Sequence, residues 1–195
     1  MYLTRRQKNI LIGLILGDGC LEKNGKNVRL RIEHGIKQME YLKWLANEFA
    51  NLSSGEVRRF STIHSRTSKR YTRIHFSSLS LECFNEYHDL FYINRRKIIP
   101  EGIGTFLKNS LSLAIWFMDD GYKRNDCQAL RIGTESFLFK EQLLLKNCLS
   151  KNFGINCCVH RKKDKWNLYI PQKDAVKFCS LIGNKVIPKM KYKLI

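Results

Sequence analysis

Two aspartates close two apolar runs of the same pattern. Asp18 ends Leu11-Ile12-Gly13-Leu14-Ile15-Leu16-Gly17-Asp18-Gly19, and Asp120 ends Leu113-Ala114-Ile115-Trp116-Phe117-Met118-Asp119-Asp120-Gly121, about a hundred residues further on. Each run has the composition of a buried helix, so each aspartate stands at a helix C-terminus. The partial negative charge there disfavours a carboxylate by a few tenths of a kcal/mol to about one. Two such ends side by side would be worse, and a cation between them relieves the conflict. Mg²⁺ accepts carboxylate, carbonyl and water oxygens and binds well where a phosphate completes its shell. Asp18 and Asp120 are therefore candidate metal ligands, and Asp119, beside Asp120, is not separated from the site by sequence alone.

These aspartates need elements to position them, and the pattern around the two runs repeats. Thr4-Arg5-Arg6-Gln7 matches a capping box ahead of the first run, and Ser110 and Ser112 are candidate N-caps ahead of the second. The glycine after each aspartate is expected to stop its helix. Residues 28–34 alternate apolar Val28, Leu30 and Ile32 with Arg29, Arg31 and Glu33, the signature of a strand with one wet face. Helical spacing follows over 37–50, strands over 56–63 and 71–78, and a second amphipathic helix over 81–92. The second half repeats the order, with a strand over 128–133, a helix over 140–153, a hairpin over 155–163 and 166–170, and a closing helix over 174–186. A short extra strand after each motif fits both halves. The loop around Pro100, Gly102 and Gly104 is the expected joint, dividing the chain into halves 1–104 and 105–195 of an α+β fold.

Composition narrows the partners. The 35 Lys and Arg residues against 17 Asp and Glu leave a formal charge of +18, which costs self-repulsion unless the partner is a polyanion, so nucleic acid is the first candidate. The basic residues are spread along the chain and not gathered on one amphipathic helix, which argues against a membrane surface. The longest apolar stretch, Ile10 to Leu16, is far short of the ~20 residues that span a bilayer. The N-terminal segment lacks the pattern of a secretory leader. Seven cysteines, odd in number, without CxxC spacing and with Cys157 and Cys158 adjacent, suit neither a disulfide framework nor a zinc module. An intracellular, reducing setting is expected: an organelle matrix or a prokaryotic cytoplasm. His34, His64, His75, His88 and His160 form no HNH-like cluster and are expected on strands or helix surfaces.

The two nine-residue runs resemble the paired motifs of LAGLIDADG homing endonucleases. Ser112 to Gly121, Lys97-Ile98-Ile99-Pro100 and the tail Ile187 to Leu194 are similar to the intron-encoded, single-chain omega-type branch, so the likeness covers nearly the whole chain. The resemblance implies a monomer of two pseudo-symmetric halves. The motif helices would pack at the centre, and antiparallel sheets would form a saddle on double-stranded DNA. It implies a site-specific double-strand cut that depends on two or three Mg²⁺ ions shared between Asp18 and Asp120, with Mn²⁺ able to substitute. Gly17 and Asp119, next to them in the chain, would belong to the same metal site. Metal ions can activate the water, stabilise charge at phosphorus and assist the leaving 3′ oxygen without a histidine base.

By the same resemblance, Lys97 and Lys193 match lysines around the scissile phosphates; the match at Lys162 is weaker. Close packing of the motif helices would use Gly13 and Gly17. In the second copy Ile115 and Asp119 stand at those positions, and Ala114 is expected to supply the contact. Strand parity places Arg29, Arg31, Arg73 and His75 on the DNA side of the first half. It places Arg131, Lys162, Lys165, Asn167 and Tyr169 on that of the second. The alternative function is an intron maturase, which would bind intron RNA on the same scaffold and would have no need to keep both aspartates.

Overall fold

Thr4 opens the first helix with a reciprocal cap: its N–H donates to Gln7 Oε1 at 3.0 Å, and the Gln7 N–H donates to Thr4 Oγ1 at 3.1 Å. Two N–H groups that every helix start leaves open are thereby satisfied. The helix, α1, runs Arg5–Leu16. The structure is a computed structural model that describes every residue except Ser54, His64 and Thr67. It divides the chain into two compact units, Met1–Lys8 with Asp18–His88, and Asn9–Gly17 with Asp89–Ile195. The first turn of α1 thus belongs to one unit and the apolar run to the other.

In the first unit, β1 (Cys20–Asn24) and β2 (Asn27–Gly35) form a hairpin that turns at Gly25, whose φ of +66° favours glycine. A short 3-10 turn leads into α2 (Met39–Glu48), which covers the sheet. Next come β3 (Arg58–Ile63) and β4 (Arg70–Ser77). The four strands make one antiparallel sheet in the order β1-β2-β4-β3. A 3-10 turn over Glu82–Phe84 takes the first residues of the helix expected at 81–92, and α3 spans only Asn85–Phe91.

The second unit begins with a feature that the spacing did not announce. Asn94 and Arg95 adopt φ of 49° and 63° and close a two-residue turn between β5 (Tyr92–Ile93) and β6 (Arg96–Lys97). Two positive φ values in a row are the requirement of a tight hairpin turn, usually met by Asn-Gly; arginine carries that strain here. After α4 (Ile103–Phe106), helix α5 spans Ser110–Asp120. Its cap is neither Ser110 nor Ser112 but Asn109, whose side chain accepts from the Leu111 N–H at 2.8 Å. Ser112 is fully buried inside the helix. Then follow β7 (Gly121–Lys123), β8 (Leu130–Ile132), α6 (Phe139–Phe153), β9 (Cys158–Lys162), β10 (Lys165–Ile170) and α7 (Gln172–Ile182). The sheet order is β7-β8-β10-β9, the same plan as in the first unit, and each motif is followed by the expected short strand, β1 or β7.

Both motif runs are buried on every side, Ile10 to Leu16 and Leu111 to Asp119 alike. A helix apolar all round belongs to a core. On β2, Val28, Leu30, Ile32 and His34 are buried while Arg29, Arg31 and Glu33 are half-exposed, so one face of the strand packs and the other meets solvent. No helix among the described residues is long and apolar enough to cross a membrane.

Candidate active site and nucleic-acid interface

Inside the second unit the apolar run of α1 packs directly on α5, and the contacts fall on matching positions of the two motifs. A Cβ added at Gly13 would stand 2.5 Å from the Ser112 carbonyl oxygen and 2.6 Å from Ile115 Cβ. One added at Gly17 would stand 2.5 Å from Asp119 Oδ2 and 2.6 Å from Asp119 Cβ. In the motif alignment Ile115 is the counterpart of Gly13 and Asp119 that of Gly17. Each position touches its own counterpart, as a two-fold arrangement demands. Glycines on one helix make room for larger residues on the other, and the close contact at Gly13 falls on Ser112 and Ile115, not on Ala114. Gly121 answers to a similar constraint. Its φ is −81°, so it is not a left-handed stop, but a Cβ there would overlap the Phe117 ring at 2.1 Å.

A lysine ammonium stands at the end of each motif helix. The strained hairpin carries Lys97, whose Nζ donates to the Gly17 carbonyl at 2.8 Å. Lys193, in the 3-10 turn Pro188–Lys193, donates to the Asp119 carbonyl at 3.0 Å and to that of Met118. Helix C-termini expose carbonyls with partial negative charge, and a cation there satisfies both the hydrogen bonds and the dipole. Lys193 is buried, so these bonds offset the loss of its hydration.

The carboxylates differ in setting. Asp18 follows Gly17 in the chain and is exposed, with Oδ2 3.4 Å from His34 Nδ1. It lines an open cleft of about 360 Å³ together with Glu33, His34, Gln38 and Arg73. His34 is buried and packs against the Tyr41 ring at 5.3 Å. It lies on β2, the strand position expected for it, with its ring on the packed face. Its even number puts it with Val28, Leu30 and Ile32, and that parity was the available signal. Asp119 is buried against Gly17, whereas Asp120 is half-exposed and its backbone carbonyl accepts from the Gly133 N–H at 2.9 Å. Of the other histidines, His75 and His160 lie on strands, His88 lies on α3 and His64 lies outside the described residues.

On the first sheet, register aligns Glu22 with Arg29, Arg31 with Ser77, Glu33 with His75 and Gly35 with Arg73, so these side chains share the solvent face. Two glutamates, Glu22 and the wet-face Glu33, to neither of which the sequence assigned a role, tie the arginines together. Glu22 Oε2 accepts from Arg29 Nε at 3.0 Å and Nη2 at 2.9 Å, and Glu22 Oε1 lies 3.3 Å from Arg31 Nη1. Glu33 accepts from Arg31 at 3.1 Å and from Arg73 at 2.6 Å. The Arg73 hydrogen bond holds the Glu33 carboxyl below its ordinary value, against burial. Burial pushes the His75 imidazole down, and Arg31 and Arg58 add to the shift.

On the second sheet, Tyr169 faces Arg131 and Lys165 faces Lys162, and Asn167 shares their side by parity. Arg131 donates to Asn167 Oδ1 at 3.2 Å and lies over the Tyr169 ring, 5.6 Å from its centroid. His160 stacks on the same ring at 4.4 Å and 11°; burial lowers its pKa, helped by Arg131. Lys162 pairs with Glu135 at 2.8 Å, and that bond raises the lysine pKa. Asn167 is fully buried, which removes it from direct contact with a ligand and leaves it to orient Arg131.

The model of the LAGLIDADG DNA endonuclease family matches residues 8–178. The cytochrome b mRNA maturase bI2 of Debaryomyces hansenii is 32% identical, over 98% of this chain and 74% of the relative. A probable intron-encoded endonuclease 1 of Wickerhamomyces canadensis is 29% identical, over 99% of this chain and 85% of the relative. Among solved structures, the homing endonuclease I-WcaI bound to its DNA recognition sequence superposes with a TM-score of 0.93 at 29% identity, covering 100% of this chain and 88% of that one. The crystal structure of I-DmoI in complex with DNA and Mn is 18% identical with a TM-score of 0.54 over 90% of this chain and 94% of that one, a likeness of fold alone. The doubled motif, the repeated sheet order and these likenesses agree, and the chain belongs to the LAGLIDADG DNA endonuclease family.

Proposed function

We propose that the protein is a site-specific homing endonuclease that makes a divalent-metal-dependent double-strand cut in a long DNA target. It acts as a monomer whose halves are residues 1–104 and 105–195. The observation that carries this reading is the packing of the aspartate-tipped helices, Gly13 against Ile115 and Gly17 against Asp119. Asp18 and Asp120 are assigned as metal ligands. Hard carboxylate oxygens on an exposed or half-exposed side chain fit Mg²⁺, with Mn²⁺ as a substitute. Asp119 is buried against Gly17, and the Gly17 carbonyl accepts from Lys97, so these two support the ligands.

When bound, such an ion activates a water and neutralises charge on the phosphate and the leaving 3′ oxygen. The protein's own part is positioning and charge. Lys97 and Lys193, fixed on the helix-end carbonyls, hold ammonium groups that stabilise charge gathering on the phosphate oxygens. The basic sheet faces bind the duplex: Arg29, Arg31, Arg73 and His75 in the first half, Arg131, Lys162, Lys165 and Tyr169 in the second, with Asn167 behind Arg131.

The test is selection of cleaved sites from a randomised duplex library with Mg²⁺, together with sedimentation of the protein on the selected site. One monomer per cut duplex, with cleavage abolished by chelation, is expected. An obligate dimer, or cutting that survives chelation, would overturn the reading. The similarity to a maturase supports a second activity, binding of intron RNA. In that case promotion of splicing would survive Asp18→Asn while DNA cleavage would not.

A further inference from the structure

The first sheet carries five charged side chains in an unbroken alternating chain across three strands: Arg29, Glu22, Arg31, Glu33, Arg73. Each carboxylate bridges two guanidiniums, and Arg31 is shared by both. The glutamates lie deeper, with side chains 29% and 26% exposed, against 39%, 38% and 54% for Arg29, Arg31 and Arg73. The carboxylates are therefore less accessible than the guanidiniums that flank them.

This arrangement works against simple attraction to a polyanion. Three guanidiniums less two carboxylates leave the cluster with a net charge of +1 in place of the +3 it would otherwise carry. Exposed ion pairs add little to stability. What the carboxylates do supply is direction. A guanidinium has five N–H donors in a rigid plane, and holding one edge on a carboxylate aims the rest. Arg29 gives its Nε and Nη2 edge to Glu22, and Arg73 gives Nη1 to Glu33. Two-pronged recognition of a guanine needs such an aimed fork. An arginine so held is also drawn less readily to the nearest phosphate when the base is wrong.

We infer that Glu22 and Glu33 are specificity-determining residues, which brace Arg29, Arg31 and Arg73 for base reading and withhold them from the DNA backbone. The inference rests on the reading above, that this face meets DNA. It is tested by selecting duplexes bound by the wild-type protein from a randomised library in Ca²⁺. Affinity for the selected duplex and for a scrambled one is then measured with Glu22→Gln, Glu33→Gln and the double variant.

Bracing predicts that scrambled DNA binds more tightly while the selected duplex gains little, so that the affinity ratio falls about tenfold or more in the double variant. The bases preferred by the wild type opposite this sheet should flatten in a repeated selection. Equal gains on both duplexes, with the ratio unchanged, would mean that the carboxylates act only through charge and would overturn the inference. Glu22→Asp with Glu33→Asp serves if a Gln variant fails to melt cooperatively: it keeps every charge and every arginine fork but withdraws the carboxylates from the guanidiniums, and bracing requires the ratio to fall. A wild-type protein that enriches no sequence would sink the DNA-reading face itself and the bracing with it. Enrichment with an unchanged ratio would sink the bracing alone.

Discussion

The two sheets share one strand order and differ in how they support their arginines. On the first, carboxylates from neighbouring strands hold Arg29, Arg31 and Arg73; on the second, Arg131 rests on a buried amide and an aromatic ring. The same contrast runs through the motif helices, where Gly13 and Gly17 face the larger Ile115 and Asp119. A duplicated backbone plan is kept because one-residue slips would turn the apolar face of each strand to solvent. Solvent-face side chains are under no such constraint, so their chemistry can differ between copies. Where the copies touch, they are complementary instead of equal: a gain of volume on one helix is matched by its loss on the other.

The largest effect tests whether the two copies remain equivalent in chemistry. Asp18→Asn and Asp120→Asn should each lower single-turnover cleavage by orders of magnitude and leave DNA affinity in Ca²⁺ within a small factor. An Asp120→Asn protein that still cuts would break the equivalence and move the second ligand to Asp119. Next in size, Gly17→Ala and Gly13→Ala should each destabilise by about 1–3 kcal/mol in urea titrations, because the added methyl meets packed atoms of α5. Gly35→Ala, with open space around it, should stay within about 0.5 kcal/mol. If Gly17→Ala is neutral, the helices do not pack as described.

The two lysines sharpen the contrast further. Lys193→Ala should lower stability more than Lys97→Ala, since Lys193 is buried and bonds two carbonyls, whereas both changes should slow cleavage more than they weaken binding. Equal melting temperatures for the two variants would contradict the difference in burial.

The smallest effect is one that both sheets share. Burial lowers the pKa of His75 on the first sheet and of His160 on the second, so the unfolded chain binds more protons than the folded one between the folded and unfolded values. The stability they contribute is complete above the unfolded pKa of about 6.5 and is lost as pH falls below it toward the folded value. Urea midpoints should drop between about pH 7.5 and about pH 5.5, and His75→Gln or His160→Gln should each flatten part of that drop. A flattening by only one of them would show that the sheets differ here too.

Much of the site was legible because it lies in periodic segments. The capping box at Thr4, the alternation on β2 and the apolar runs ending in aspartate each follow from local rules of hydrogen bonding and side-chain period. The misses cluster where a local rule was overridden. Asn109 and not Ser110 caps α5, because the helix starts one residue earlier than the serine-based reading allowed. The Asn94-Arg95 turn lacks the glycine that marks such hairpins, and so the element that delivers Lys97 to the Gly17 carbonyl was hidden.

By itself the sequence determined the doubling of the motif, the α+β class, the basic charge and the identity of the two aspartates at the helix ends. These are properties of residue type and spacing along the chain, and they need no knowledge of what lies across from them. Tertiary structure alone decided which atoms meet: Gly17 with Asp119, Lys193 with the end of α5, His34 with Asp18, and the two glutamates with three arginines. Each of these joins residues from different elements, and strand register together with close packing, which hydrophobic pattern constrains only to a face, chooses the partners.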